Sequence, residues 1–192
     1  GFIVVVMVRA AAGELWRRTA GEWLDTAGGG TAVAVLGKLL PYTLVFLCMS
    51  VLMWTVALRW YGAPMRGDGR VLAGATVLFV LAYQSMGLLF AALTANIRIA
   101  NSLAGFYCGP AFAVAGVTFP AAGLSAPAVV WSLSLPLTHY LQIVLQQCTQ
   151  GAPPASALAP MAALCAFVFL PPLVYVPRLG RLLRDPASWG RL

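Results

Sequence analysis

His139 is the only histidine in the chain, and that limits the available chemistry at once. One imidazole gives no His pair for zinc and no two-histidine proton relay. The carboxylates are Glu14, Glu22, Asp25, Asp68 and Asp185, and all lie outside the long apolar runs. A Ser-His-Asp arrangement would need Asp68 to meet His139 by chance. Cys48, Cys108, Cys148 and Cys165 are scattered, without CxxC or Cys/His spacing, and cysteines so placed act as small hydrophobes rather than ligands. Gly28-Gly29-Gly30 is not followed by Lys-Ser/Thr, and Gly37-Lys38 is a lone dipeptide at a helix start. Neither makes a phosphate-cradling loop. The chain is therefore expected to bind no metal and no cofactor of its own, and it does not read as an enzyme.

The polar residues that remain must be positioned by apolar elements. Residues 36–58, 71–95, 99–119 and 155–176 are nearly uncharged. A helix of about 23 residues rises roughly 35 Å, enough to cross a hydrocarbon core of about 30 Å. Hydrophobic residues make up 61% of the chain and charged ones 9%, against about 25% charged in a soluble domain. The runs are continuous rather than alternating, which excludes a transmembrane β-barrel. The expected fold is all-α: one polytopic membrane helical bundle over residues 1–192.

The formal net charge of +7 does not require a nucleic acid. With residues 9–35 and the C-terminus on the cytoplasmic side, Arg9, Arg17, Arg18, Lys38, Arg98, Arg178, Arg181, Arg184 and Arg191 lie there, and only Arg59, Arg66 and Arg70 lie opposite. Such a bias sets orientation. The partner it implies is the bilayer, with anionic lipid near the cytoplasmic tail, residues 178–192.

Residues 1–8 are apolar but too short to span, and lack the flanks of a signal peptide. They are expected to be the end of a truncated span in a piece of a longer chain. Residues 11–27 differ from the rest. At about 100° per residue, Ala12, Leu15, Trp16, Thr19, Ala20, Trp23 and Ala27 share one face, opposite Glu14, Arg17, Arg18, Gly21, Glu22 and Asp25, with Leu24 misplaced. One amphipathic helix at the cytoplasmic interface follows. Its charged face is either a docking surface for a partner or simply solvated, and Pro41 is expected near the start of the helix after it.

Within the spans, Tyr83 and Gln84 either bind neighbouring helices or line a path. Asn101, Pro110 and Phe119 belong to a span that Pro110 should kink or interrupt, and Gly105 and Gly109 would permit close helix contact. Residues 120–151 hold two apolar pieces separated by Pro136, each too short to cross, with Thr138, Gln142, Gln146 and Thr149 at helical spacing and His139 beside them. This reads as an outer re-entrant hairpin. Tyr83, Gln84, Asn101, Pro110, Phe119, Pro136, Thr138, His139 and Gln142 are the candidates for a translocation path or outer gate.

Four strings resemble the permease subunit of ABC-2 type exporters: Thr19-Ala20-Gly21-Glu22-Trp23-Leu24, Leu36-Gly37-Lys38-Leu39-Leu40-Pro41-Tyr42, residues 110–120 (PAFAVAGVTFP), and Leu135-Pro136-Leu137-Thr138-His139-Tyr140-Leu141. The resemblance implies that residues 1–8 end the second span, that 11–27 is the cytoplasmic coupling helix, and that the four long runs are spans three to six. It implies a bacterial inner-membrane protein, paired with a second permease copy or paralogue, and driven by a separate ATP-binding cassette ATPase; ATP acts only through that partner. Glu14, Trp16, Arg17, Arg18, Glu22, Trp23 and Lys38 would carry the ATPase coupling. Relatives often have a glycine before the threonine where this chain has Arg18-Thr19. Two other readings stand beside it: an ATP-independent channel or secondary carrier, which would usually need an intramembrane charge, and a membrane enzyme centred on His139.

Overall fold

Backbone N–H and C=O groups in hydrocarbon must be satisfied within the chain, and helices are what the apolar runs form. The computed structural model describes residues 1–115 and 125–185, with no strand among them. The helices are α1 (Phe2–Arg17), α2 (Ala20–Thr26), α3 (Thr31–Thr55), α4 (Gly69–Thr94), α5 (Ile97–Cys108), α6 (Ala111–Val114), α7 (Ala126–Leu133), α8 (Pro136–Val144) and α9 (Leu158–Arg184). A π-helical turn, Val56–Trp60, extends α3, another, Leu145–Gln150, extends α8, and a 3₁₀ turn, Pro154–Ala157, leads into α9.

Among the described residues three helical stretches are long and apolar enough to cross a membrane: Thr31–Trp60, Gly69–Thr94 and Pro154–Arg184. A fourth apolar unit is bent: Ala126–Leu133 meets Pro136–Gln150 at 80°. Leu135 is extended (φ −106°, ψ 124°) and Pro136 opens α8, where its missing N–H removes no helical bond.

Several expectations change. Residues 99–119 do not make one span. Helix α5 stops at Cys108, Pro110 caps the four-residue α6, and Phe119 lies outside the described residues; proline has no N–H to carry the helix on. Residues 11–27 form not one helix but the end of α1 and the separate α2, because Arg18 adopts the left-handed conformation (φ 61°, ψ 23°). Pro41 is interior to α3, not at its start, and so withholds a bond from the Gly37 carbonyl. Helix α9 runs on to Arg184 through Pro171, Pro172 and Pro177, so the expected tail begins as helix. Gly105 faces open space, not a neighbouring helix.

The chain divides into two compact units, each drawing on parts of the three long helices. The first comprises Gly1–Leu44, Tyr83–Cys108 and Phe169–Leu192. Its core joins Ala11, Ala12, Val35, Leu88, Ala91, Ala92, Tyr175 and Leu179. Half of these are alanines, which let backbones approach where hydrophobic burial gives helices little reason to associate. Gly87 carries this furthest: a Cβ there would lie 2.7 Å from Met7 Cβ and 2.8 Å from the Val4 carbonyl oxygen of α1. The last carbonyls of α4 lack helical donors; the Arg178 guanidinium donates to two of them, Ala92 (2.8 Å) and Leu93 (3.2 Å). Asn96 caps α5 by accepting the N–H groups of Arg98 (2.9 Å) and Ile99 (3.2 Å).

The second unit comprises Val45–Ala82 and Gly109–Val168. Ala75, Ala82, Ile143, Ala157 and Leu164 form its core, and Tyr140 stacks on Phe79 at 4.3 Å. The loop before α4 is fastened to α8's extension: Gly67 N–H donates to the Gln147 carbonyl at 2.7 Å, and Asp68 N–H to the Gln147 side chain at 2.9 Å.

Candidate functional site

The break between α1 and α2 builds a polar site in the first unit. Arg18 reverses the chain so that Thr19 N–H reaches the Glu14 carbonyl at 3.1 Å. The Thr19 hydroxyl then donates to the Glu14 carboxylate, and so does the Lys38 ammonium of α3. Lys38 also rests 4.3 Å above the Trp23 ring of α2, a favourable cation–π placement. Trp23 in turn donates its indole N–H to the Ala34 carbonyl at 3.2 Å. Three helices are thus joined at one carboxylate. Burial alone would raise the Glu14 pKa, but the hydrogen bonds from Lys38 and Thr19, with the charges of Lys38 and Arg17, outweigh it and hold the carboxyl below its ordinary range.

The residues grouped for coupling therefore separate by role. Glu14, Trp23 and Lys38 are brought together, whereas Arg17, Arg18, Glu22 and Trp16 (47% exposed) face outward. Leu24, which the helical wheel places on the polar side, is buried with Leu15, Ala20 and Leu183. The break at Arg18 is the cause, since a helical wheel drawn through it misplaces the residues that follow.

Of the path candidates, Tyr83 and Gln84 are buried in the first unit. Gln84 Oε1 accepts from the Thr43 hydroxyl at 2.9 Å, while its Nε2 is buried without a partner, as is Asn101 Oδ1. Pro110, Pro136, Thr138, His139 and Gln142 belong to the second unit. Pro110 and Gln142 are exposed and Pro136 is buried. Thr138 lies 3.2 Å from the Ser132 hydroxyl, and His139 Nε2 lies 3.0 Å from the Leu133 carbonyl, with its ring 6.0 Å from that of Phe167. His139 thus closes the turn between α7 and α8. Asp68 accepts the Arg70 N–H at 2.8 Å, so the Ser-His-Asp possibility gains no support.

Two groups escaped the sequence reading. The Tyr140 hydroxyl accepts from Trp54 Nε1 at 3.1 Å and shares a hydrogen with Thr76 Oγ1 at 3.1 Å. Gln147 is fully buried, although it lies outside the polar stripe of Thr138, Gln142, Gln146 and Thr149. The π turn shifts register after Leu145, and nothing in the spacing of the glutamines signals it.

The family model described as ABC-2 family transporter protein matches residues 2–171. No curated protein and no solved structure matches the chain.

Proposed function

The chain belongs to the ABC-2 transporter family, and on that premise we propose that it is the membrane permease of an ATP-driven exporter, worked by a separate ATPase. It is a multi-pass membrane component of an ABC-type transporter, in a family that generally works with an ATPase subunit. The observation that carries the finer reading is the Glu14–Lys38 pair. It ties the outward-facing charges of Arg17, Arg18 and Glu22 to the first long span, α3. A push on that face would reach the span through an ion pair rather than a slack loop.

The division of charge supports the topology. Arg9, Arg17, Arg18, Lys38, Arg98, Arg178, Arg181 and Arg184 belong to the first unit, and Arg59, Arg66 and Arg70 to the second. The helix ends that carry the first set are then cytoplasmic, in a bacterial inner membrane, and a second permease copy or paralogue completes the path. ATP would be bound by the partner, not by this chain.

The test is charge reversal of Arg17 and Arg18 to Glu in vesicles holding permease and ATPase. Continued hydrolysis with transport lost supports the reading; transport that stays coupled, or that proceeds without ATP, overturns it.

A further inference from the structure

We propose that the second unit carries a binding site for one anionic phospholipid of the bilayer, seated in a groove between α3 and α4. The groove has a volume of about 470 Å³, within the range of about 300–1,000 Å³ usual for ligand sites. Leu47, Val51 and Leu58 form one wall and Leu72, Ala73 and Val77 the other.

The polar groups along it are already spent. The hydroxyls of Ser50, Thr55 and Thr76 each donate at 2.8 Å to a carbonyl of their own helix, those of Phe46, Val51 and Leu72. The Trp54 indole N–H is taken by Tyr140. What remains is a hydrocarbon surface, suited to an acyl chain and to little else.

Arg59 stands at one end of it. It lies in the π turn Val56–Trp60, and such turns change the face that the following side chains present. Among the described residues it makes no ion pair or hydrogen bond. Trp60 and Tyr61, more than four-fifths exposed, mark the headgroup level. Three arginines stand against one carboxylate in this unit: Arg59, Arg66 and Arg70 against Asp68, which is engaged by the Arg70 N–H. The local excess is positive, so it favours an anion. From Leu47 to Arg59 the helix rises about 18 Å, close to one leaflet of a hydrocarbon core of about 30 Å. A chain-length apolar groove ending in one unpaired cation fits a lipid with an anionic headgroup.

The test is native mass spectrometry of the purified chain titrated with phosphatidylglycerol or phosphatidylcholine. One phosphatidylglycerol should be retained in preference to phosphatidylcholine. Arg59→Ala should lower its affinity about fivefold, the loss of one interfacial cation, without changing phosphatidylcholine. Ala73→Trp, which fills the groove, should lower retention of both. Equal retention of the two lipids, or phosphatidylglycerol binding unchanged in Arg59→Ala, overturns the proposal. Arg59 is exposed, so that variant remains informative if Ala73→Trp fails to fold.

Discussion

The Lys38 ammonium, on the third helix, is paired with the Glu14 carboxylate on the first, and both are mostly shielded from solvent (side chains 19% and 26% exposed). Two residues 24 positions apart thereby fix how the α1–α2 corner joins the first long span.

That pairing makes stability depend on pH in a definite sense. The Glu14 carboxyl sits below its usual value of 4.5 in the folded protein, so its contribution is complete above the unfolded value and is lost as pH falls through the folded one. Thermal unfolding in detergent should show a midpoint that drops in acid. Glu14→Gln should be less stable by about 1.5 kcal/mol near neutrality, with a smaller acid-induced fall.

Arg18 occupies the conformation that glycine adopts freely and other residues adopt under strain. Arg18→Gly should raise stability by about 1 kcal/mol, and Arg18→Val should lower it, because a β-branched side chain fits that region worst. Paired thermal melts of the two variants check the sign.

Gly87 is a packing requirement. Gly87→Ala drives a methyl group into Met7 and the Val4 backbone, and should destabilise by about 2 kcal/mol. Gly105→Ala, on an open face, should leave the midpoint unchanged or raise it slightly. Unfolding of both in detergent measures the difference.

In the second unit, Tyr140→Phe strands the Trp54 indole N–H, while the Thr76 hydroxyl keeps its bond to the Leu72 carbonyl. A double-mutant cycle with Trp54→Phe should return a coupling of about 0.6–1 kcal/mol, typical of hydrogen bonds between membrane helices.

The long helices were legible because uninterrupted apolarity over some twenty residues has few other uses. Pro110 and Pro136 announced breaks, and breaks occur beside both. What the sequence hid was register. Arg18 carries a backbone angle normally signalled by glycine, so residues 11–27 read as one unbroken helix and Leu24 falls on its polar side. The π turn Leu145–Gln150 similarly buries Gln147, a residue outside the polar stripe that the spacing marks. Pairings across distance, such as Glu14 with Lys38 or Trp54 with Tyr140, leave no periodic trace and required coordinates.

The most direct test of ATPase coupling replaces Arg17 by the photo-crosslinking residue p-benzoylphenylalanine, and does the same at Arg70 of the second unit, in membranes containing the cognate ATPase subunit. The account predicts an adduct with the ATPase from position 17 and none from position 70. An adduct from position 70, or none from position 17, would contradict it.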